Sequence, residues 1–200
     1  MPTYTSQPAE AAAIDTYIRA DQATTNYATG TDVIVGHYQT GAGYYRGLIK
    51  DPFTGLVGVV VTSAVLTLTV SYGYDTPKIY VYRSKRAWVE SQATWNIWKT
   101  SNNWSTAGGF HTDDCEQTDI GNNTLSAAVI GTQLAITLDA AKVQEMISGA
   151  FTNNGFLLKS TEADNTISAF ASSSHATASY RPKLVIEYIL GGQFIRWSNE

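Results

Sequence analysis

The clearest pattern along the chain is an alternation of apolar and polar residues within the segment 57–72. A period of two is the repeat of a β-strand, whose successive side chains point to opposite faces. The segment therefore predicts a long strand with one buried face. The residues on that face are Ala64, Leu66, Leu68 and Val70.

Shorter runs of the same kind predict further strands. They lie at residues 15–18, 32–36, 44–49, 78–83, 132–138, 156–160, 167–171 and 181–188. Helical spacing is convincing only at 139–147, where Asp139 can cap the N-terminus and Gly149 can end the helix. Many strands, one short helix and no alternation of strands with helices predict an all-β fold, an antiparallel sandwich.

The pattern also divides the chain. We expect an extended N-terminal arm at 1–13, one β domain at 14–189 and a C-terminal tail at 190–200, which Gly191 and Gly192 detach from the domain. Within the domain we expect one shared core. Its members are Trp95, Leu66, Leu68, Leu158 and Val185.

Three tryptophans lie within residues 88–98, and a fourth follows at Trp104. Tryptophan buries a large apolar area, so Trp88 and Trp95 are expected as core anchors. For Trp98 and Trp104 two interpretations stay open. They either pack in the core or form an exposed platform on which a ligand ring stacks.

Composition narrows the function classes. Charged residues make up 15% of the chain, the net charge is −4, and no basic stripe occurs, which argues against nucleic-acid binding. No run reaches the apolar length of a membrane helix, so we expect no membrane insertion.

The single cysteine, Cys115, excludes an internal disulfide. The first residues lack a secretory signal, which suits a protein whose signal was removed or a phage virion protein.

Several short motifs, taken in order, resemble the DNRLRE domain family of carbohydrate-binding-module-like β-sandwiches over about residues 14–189. They are Asp15–Ile18, Asn26–Tyr27, Arg46, Ala64–Leu68, Tyr82–Arg83, Trp88–Glu90, Thr94–Asn96, Asn154–Lys159, Ala171–Ser173 and Arg181–Tyr188. The resemblance implies a jelly-roll sandwich that serves as a non-catalytic module of surface, secreted or phage proteins. It implies an extracellular location, on a virion or a cell surface.

No catalytic motif or cofactor fingerprint occurs, and the three histidines are far apart in the sequence, so we expect no enzyme and no cofactor. Carboxylates cluster at residues 113–119, and Asp15 stands at the first predicted strand. Calcium prefers such oxygen ligands. A structural calcium ion is therefore possible at either place. The alternative for Asp15 is an ion pair with Arg46 or Arg181.

Two functions are expected, and they are compatible. A binding or adhesion module for a polysaccharide or surface glycan would use Trp98, Asn102, Asn103, Trp104, Asp113 and Asp114. A structural virion subunit, such as a capsid decoration or tail-associated protein, would assemble with other virion or surface proteins through its terminal segments. Its docking residues would be Phe194, Ile195 and Trp197. A polysaccharide-degrading enzyme is a third and weaker interpretation.

Overall fold

The computed structural model describes residues 1–7, 14–38, 43–162 and 166–191. Within these ranges the chain forms one α-helix, α1 (Ala140–Ser148), and two short 3-10 helices (Ala20–Gln22 and Ala178–Tyr180). The strands are β1 (Thr3–Ser6), β2 (Ile14–Arg19), β3 (Asp32–His37), β4 (Tyr44–Lys50), β5 (Val59–Gly73), β6 (Lys78–Arg83), β7 (Ile97–Lys99), β8 (Asn102–Asn103), β9 (Gly121–Thr124), β10 (Gln133–Leu138), β11 (Phe156–Ser160), β12 (Ile167–Ala171) and β13 (Lys183–Leu190).

The strands form one curled antiparallel sheet and a separate hairpin. The sheet order is β1-β13-β5-β12-β3-β4-β11-β6-β9, with β10 beside β5 and β2 beside β4, while β7 pairs only with β8. The predicted all-β class with one short helix is confirmed.

Strand β5 lets the sheet curl. Its first part lies between β13 and β10, and its last residues, from Val70 onward, pair with β12 instead. The predicted alternation is confirmed, since Ala64, Leu66, Leu68 and Val70 are all buried. They share one core with residues of the other half of the sheet, among them Val33, Val81 and Leu158.

Helix α1 begins and ends where the sequence predicts. The Asp139 carboxylate accepts hydrogen bonds from the backbone N–H groups of Ala141 (2.9 Å) and Lys142 (3.2 Å). Gly149 ends the helix in the left-handed conformation, with φ of 81°, which glycine adopts without steric cost. Val143 and Met146 face the core.

The N-terminal residues differ from the expected arm. Thr3–Ser6 form β1, which pairs with β13 from Thr3 opposite Glu187 to Ser6 opposite Leu184. The Tyr4 hydroxyl also donates a hydrogen bond to Asp51 at 2.8 Å. These residues are part of the sheet of their own chain. The remainder of the expected arm, residues 8–13, lies outside the described residues.

Two members of the expected core lie elsewhere. In β13 the buried residues are Leu184 and Ile186, so the expectation for Val185 was out of phase by one residue. Trp95 is half-buried and packs against a different cluster. The last strand ends at Leu190 rather than near Tyr188. The expected docking residues Phe194, Ile195 and Trp197 lie outside the described residues.

Candidate functional site

The tryptophan-rich segment builds a second hydrophobic layer. Leu48 and Leu157 belong to it, whereas their neighbours Ile49 and Leu158 belong to the main core. Adjacent residues of a strand point to opposite faces, so this layer lies on the outer face of the sheet. We call it the outer cluster: Ile18, Leu48, Tyr82, Trp88, Ala93, Trp104, Cys115 and Leu157.

Trp88 and Trp104 are structural members of that cluster. They are 6% and 4% exposed. Their indole N–H groups donate to the backbone carbonyls of Asn154 (2.8 Å) and Thr94 (2.9 Å). Burial with a satisfied N–H is the usual state of a core tryptophan. Of the two interpretations of Trp104, the core placement holds, and its ring is not an exposed platform.

The other two tryptophans are half-buried and contact cationic groups. The Arg46 guanidinium lies 4.8 Å from the Trp95 ring centroid, and the Tyr44 ring stacks on Trp95 at 6.4 Å. Arg46 also forms an ion pair with Glu162 (2.7 Å) and donates to the Gly108 carbonyl (2.9 Å). Trp98 has the Lys99 ammonium 4.6 Å from its ring centroid.

The carboxylates of the polar loop have separate roles. Asp114 is buried, pairs with Arg86 at 2.9 Å, and accepts backbone hydrogen bonds from Ser105 (3.0 Å) and Thr106 (3.1 Å). Burial raises the pKa of Asp114, but these hydrogen bonds and the Arg86 charge outweigh it, so the net pKa is lowered. Asp113 is exposed beside His111. The two aspartates therefore do not act as one ligand pair.

Neither expected calcium position has a full set of ligands among the described residues, since none of their His, Cys, Asp and Glu side chains form a group of three suited to a metal ion. Glu116 pairs with Arg83 at 2.7 Å. Asp15 is buried and accepts a hydrogen bond from the Ser173 N–H at 2.8 Å. Arg46, one of its two expected partners, pairs with Glu162.

Asn103 and Trp104 do come together, at an open cleft of about 460 Å³ beside the β7–β8 hairpin. Its described lining residues are all uncharged, and four of the seven are Thr or Asn. The Asn102 amide instead donates to the Thr100 carbonyl at 2.8 Å. Because Trp104 contributes little accessible ring, this hairpin cleft offers hydroxyl and amide groups without a stacking surface. It is lined by Thr24, Thr94, Asn96, Ile97, Asn103, Trp104 and Ala107.

An exposed aromatic surface occurs at a different place, which sequence reasoning missed. Tyr38, Tyr72 and Tyr74 are 47%, 56% and 55% exposed. The ring centroids of Tyr72 and Tyr74 are 4.7 Å apart, and those of Tyr38 and Tyr74 are 6.4 Å apart. Tyr38 follows β3, Tyr72 lies at the end of β5, and Tyr74 directly follows that strand. The antiparallel sheet thus gathers residues that are far apart in the sequence.

Tyr38 and Tyr74 line an open cleft of about 240 Å³, which we call the tyrosine cleft, and Tyr72 extends its aromatic surface through its contact with Tyr74. The Arg19 guanidinium lies 4.8 Å from the Tyr45 ring centroid, and its Nε lies 2.6 Å from Oδ1 of Asp21. Tyr17 packs behind Tyr45, and burial raises the pKa of Tyr17 to about 12. The lining residues are Arg19, Ile34, Tyr38, Tyr45, Tyr74 and Ile167.

Comparison with known proteins gives a family. The sequence model of the Disaggregatase related repeat domain matches residues 15–186, and no curated protein matches the chain. The resemblance to the DNRLRE family is therefore wrong. The motifs that carried it are mainly strand and turn patterns, which unrelated antiparallel β domains share. Within the described ranges no helix has the length and apolar character needed to cross a bilayer.

Proposed function

This chain belongs to the Disaggregatase related repeat family, and on that premise we propose that it is a non-catalytic module that binds a glycan at the tyrosine cleft. The observation that carries the proposal is the group of exposed rings, Tyr38, Tyr72 and Tyr74, of which Tyr38 and Tyr74 line an open cleft and Tyr72 contacts Tyr74. Tyrosine gives a large, rigid contact surface with a polar tip at a low cost in conformational entropy. Such a surface suits sugar rings, which carry both C–H faces and hydroxyl groups.

The lining of the cleft supports binding without turnover. Glycoside hydrolysis needs two carboxyl groups that flank the scissile bond. None of the six described residues that line the tyrosine cleft is Asp or Glu, and the Asp21 carboxylate at its rim is paired with Arg19. We therefore propose that the bound glycan is held and not cleaved.

The finer architecture that we propose is a jelly-roll sandwich, which β5 supports because it pairs with both halves of the curled sheet. We propose an extracellular place, on a virion or a cell surface, where an adhesion module meets glycans. A domain described as a repeat suits a protein with several copies, in which weak single sites add up through avidity.

An exposed aliphatic patch favours a second function, that of a structural subunit held by other virion or surface proteins. Val57 is 88% exposed, and Val60, Ile189 and Leu190 are also exposed, with Val60 paired opposite Ile189 in the sheet. Such patches commonly mark protein contacts. Sedimentation velocity separates the two functions. A structural subunit assembles at micromolar concentration and loses assembly in a Val57→Asp variant, whereas a free binding module sediments as a monomer.

The proposed function is tested on an array of immobilised polysaccharides. We expect the wild-type protein to be retained by at least one neutral polysaccharide, and Tyr72→Ala and Tyr74→Ala each to weaken its affinity about tenfold, or about 1.4 kcal/mol. The matched control is Trp98→Ala, which removes a half-buried ring away from the cleft and should leave affinity unchanged. Retention that Trp98→Ala abolishes and the tyrosine variants leave intact would overturn the proposal, as would release of reducing ends from the bound polymer.

A further inference from the structure

The charge arrangement at the rim of the tyrosine cleft narrows the ligand class, on the basis of the proposed function. We infer that the cleft takes an uncharged glycan, and that Asp21 sets this selectivity by pairing with Arg19. Arg19 is the only cationic group among the six described residues that line the cleft. Whether the charge of Arg19 is already paired therefore decides how strongly the cleft attracts an anionic ligand.

Geometry holds the pair in place. Arg19 ends β2, and Asp21 lies in the 3-10 helix that follows at once. The Nε of Arg19 donates to Oδ1 of Asp21 at 2.6 Å, and Nη2 donates to Oδ2. The guanidinium also lies over the Tyr45 ring. A bidentate pair that is also stacked on a ring has a fixed orientation.

Both members are charged at neutral pH. The hydrogen bonds to Arg19 lower the pKa of Asp21, against a smaller opposing effect of burial. The two charges cancel at the rim. Asp75, next to Tyr74 in the sequence, and Asp32, near Tyr17, are both acidic, so neither adds a positive charge near the cleft. A carboxylate or sulfate on the ligand would lose hydration without gaining a free cation, which is unfavourable.

A neutral sugar can instead form hydrogen bonds with both members of the Arg19–Asp21 pair. The pair uses Nε and Nη2 of Arg19, and a guanidinium has five N–H donors, so donors remain for a hydroxyl group. The Asp21 carboxylate has further lone pairs that accept from an adjacent hydroxyl. The side chains of Arg19 and Asp21 are 21% and 39% exposed, so a ligand can reach both. The tyrosine rings then supply the stacking surface for the sugar.

The test uses pairs of polysaccharides that share a backbone and differ in charge. They are polygalacturonate with its methyl ester, and carboxymethylated with unmodified β-glucan. We expect the wild-type protein to prefer the neutral member of a pair about tenfold or more. Asp21→Asn keeps the size of the side chain but removes its charge and frees Arg19. This variant should gain about tenfold in affinity for the charged member at low salt, and lose that gain at high salt.

The control is Arg19→Gln, which removes the cation and should weaken neutral binding without any gain for the charged member. Equal or better binding of the charged member by the wild-type protein overturns the inference, as does an Asp21→Asn variant with unchanged preference. If those outcomes come with a loss of binding in Tyr72→Ala, the proposed function stands and only the selectivity falls. If the wild-type protein binds no polysaccharide, both fall.

Discussion

The tryptophan segment and the tyrosine cleft are the two aromatic regions of this molecule, and they differ in what their rings face. Trp88 and Trp104 lie beneath the surface of the outer cluster and are almost fully buried, whereas Tyr72 and Tyr74 are more than half exposed. Four tryptophans within 17 residues are conspicuous in the sequence, yet the two most buried of them pack inside the outer cluster. The aromatic surface that a ligand can reach is made of tyrosines from separate strands.

The difference follows from the polar atom of each ring. An indole N–H that leaves water needs an acceptor, and both buried tryptophans find one in a backbone carbonyl. Long segments that cover a sheet need such anchors, because they bring few apolar residues of their own. Tyr72 and Tyr74 instead keep more than half of their surface exposed to water. They are thus available to a ligand without disturbing the fold.

The largest expected effect comes from removing a buried ring of the first region. Trp104→Ala should lower the free energy of unfolding by about 3–5 kcal/mol, because it leaves a cavity in the outer cluster and an unused Thr94 carbonyl. Urea denaturation measures this loss. The matched control is Tyr74→Ala, an exposed ring of similar chemistry, which should change the free energy by less than about 0.5 kcal/mol. Similar losses in both variants would erase the contrast between the regions.

A smaller loss of stability is expected when Asp114 is changed, because this buried carboxylate supports the backbone next to the tryptophan segment. Asp114→Asn should cost about 1.5–3 kcal/mol, the range for hydrogen bonds to a charged group. The folded pKa of Asp114 is lowered, so its stabilisation is present above the unfolded value near 3.9 and is lost as pH falls towards the folded value. Between pH 6 and pH 3 the wild-type protein should therefore lose more stability than the variant. Parallel pH profiles would show that Asp114 carries no such role.

The sequence predicted those parts of the fold that are determined by residues close together in the chain. The face of β5 with Leu66 and Leu68, and the capped helix between Asp139 and Gly149, follow from the periodicity and from the capping residues. Val185 was placed one residue out of phase because the run from Leu184 to Ile186 is apolar without a clear alternation. The pairing of β1 with β13 joins the two ends of the described chain, which no short window contains.

The candidate site was harder to predict for the same reason. Tyr38 and Tyr74 are 36 positions apart in the sequence but their ring centroids lie 6.4 Å apart. Only the order of β3, β12 and β5 in the sheet brings them together. The signal that could have drawn attention to them is the pair Tyr72 and Tyr74 at the end of the longest alternating strand, in a chain with 12 tyrosines.

The most direct test of the contrast is an NMR titration with the polysaccharide that the protein binds best, or a soluble fragment of it. The protein carries ¹³C-labelled tyrosine rings and ¹⁵N-labelled indoles, assigned with Tyr→Phe and Trp→Phe variants. The account predicts that the ring signals of Tyr38, Tyr72 and Tyr74 shift with ligand concentration, while the indole signals of Trp98 and Trp104 stay in place. Shifts confined to the indoles, with unchanged tyrosine signals, would contradict it.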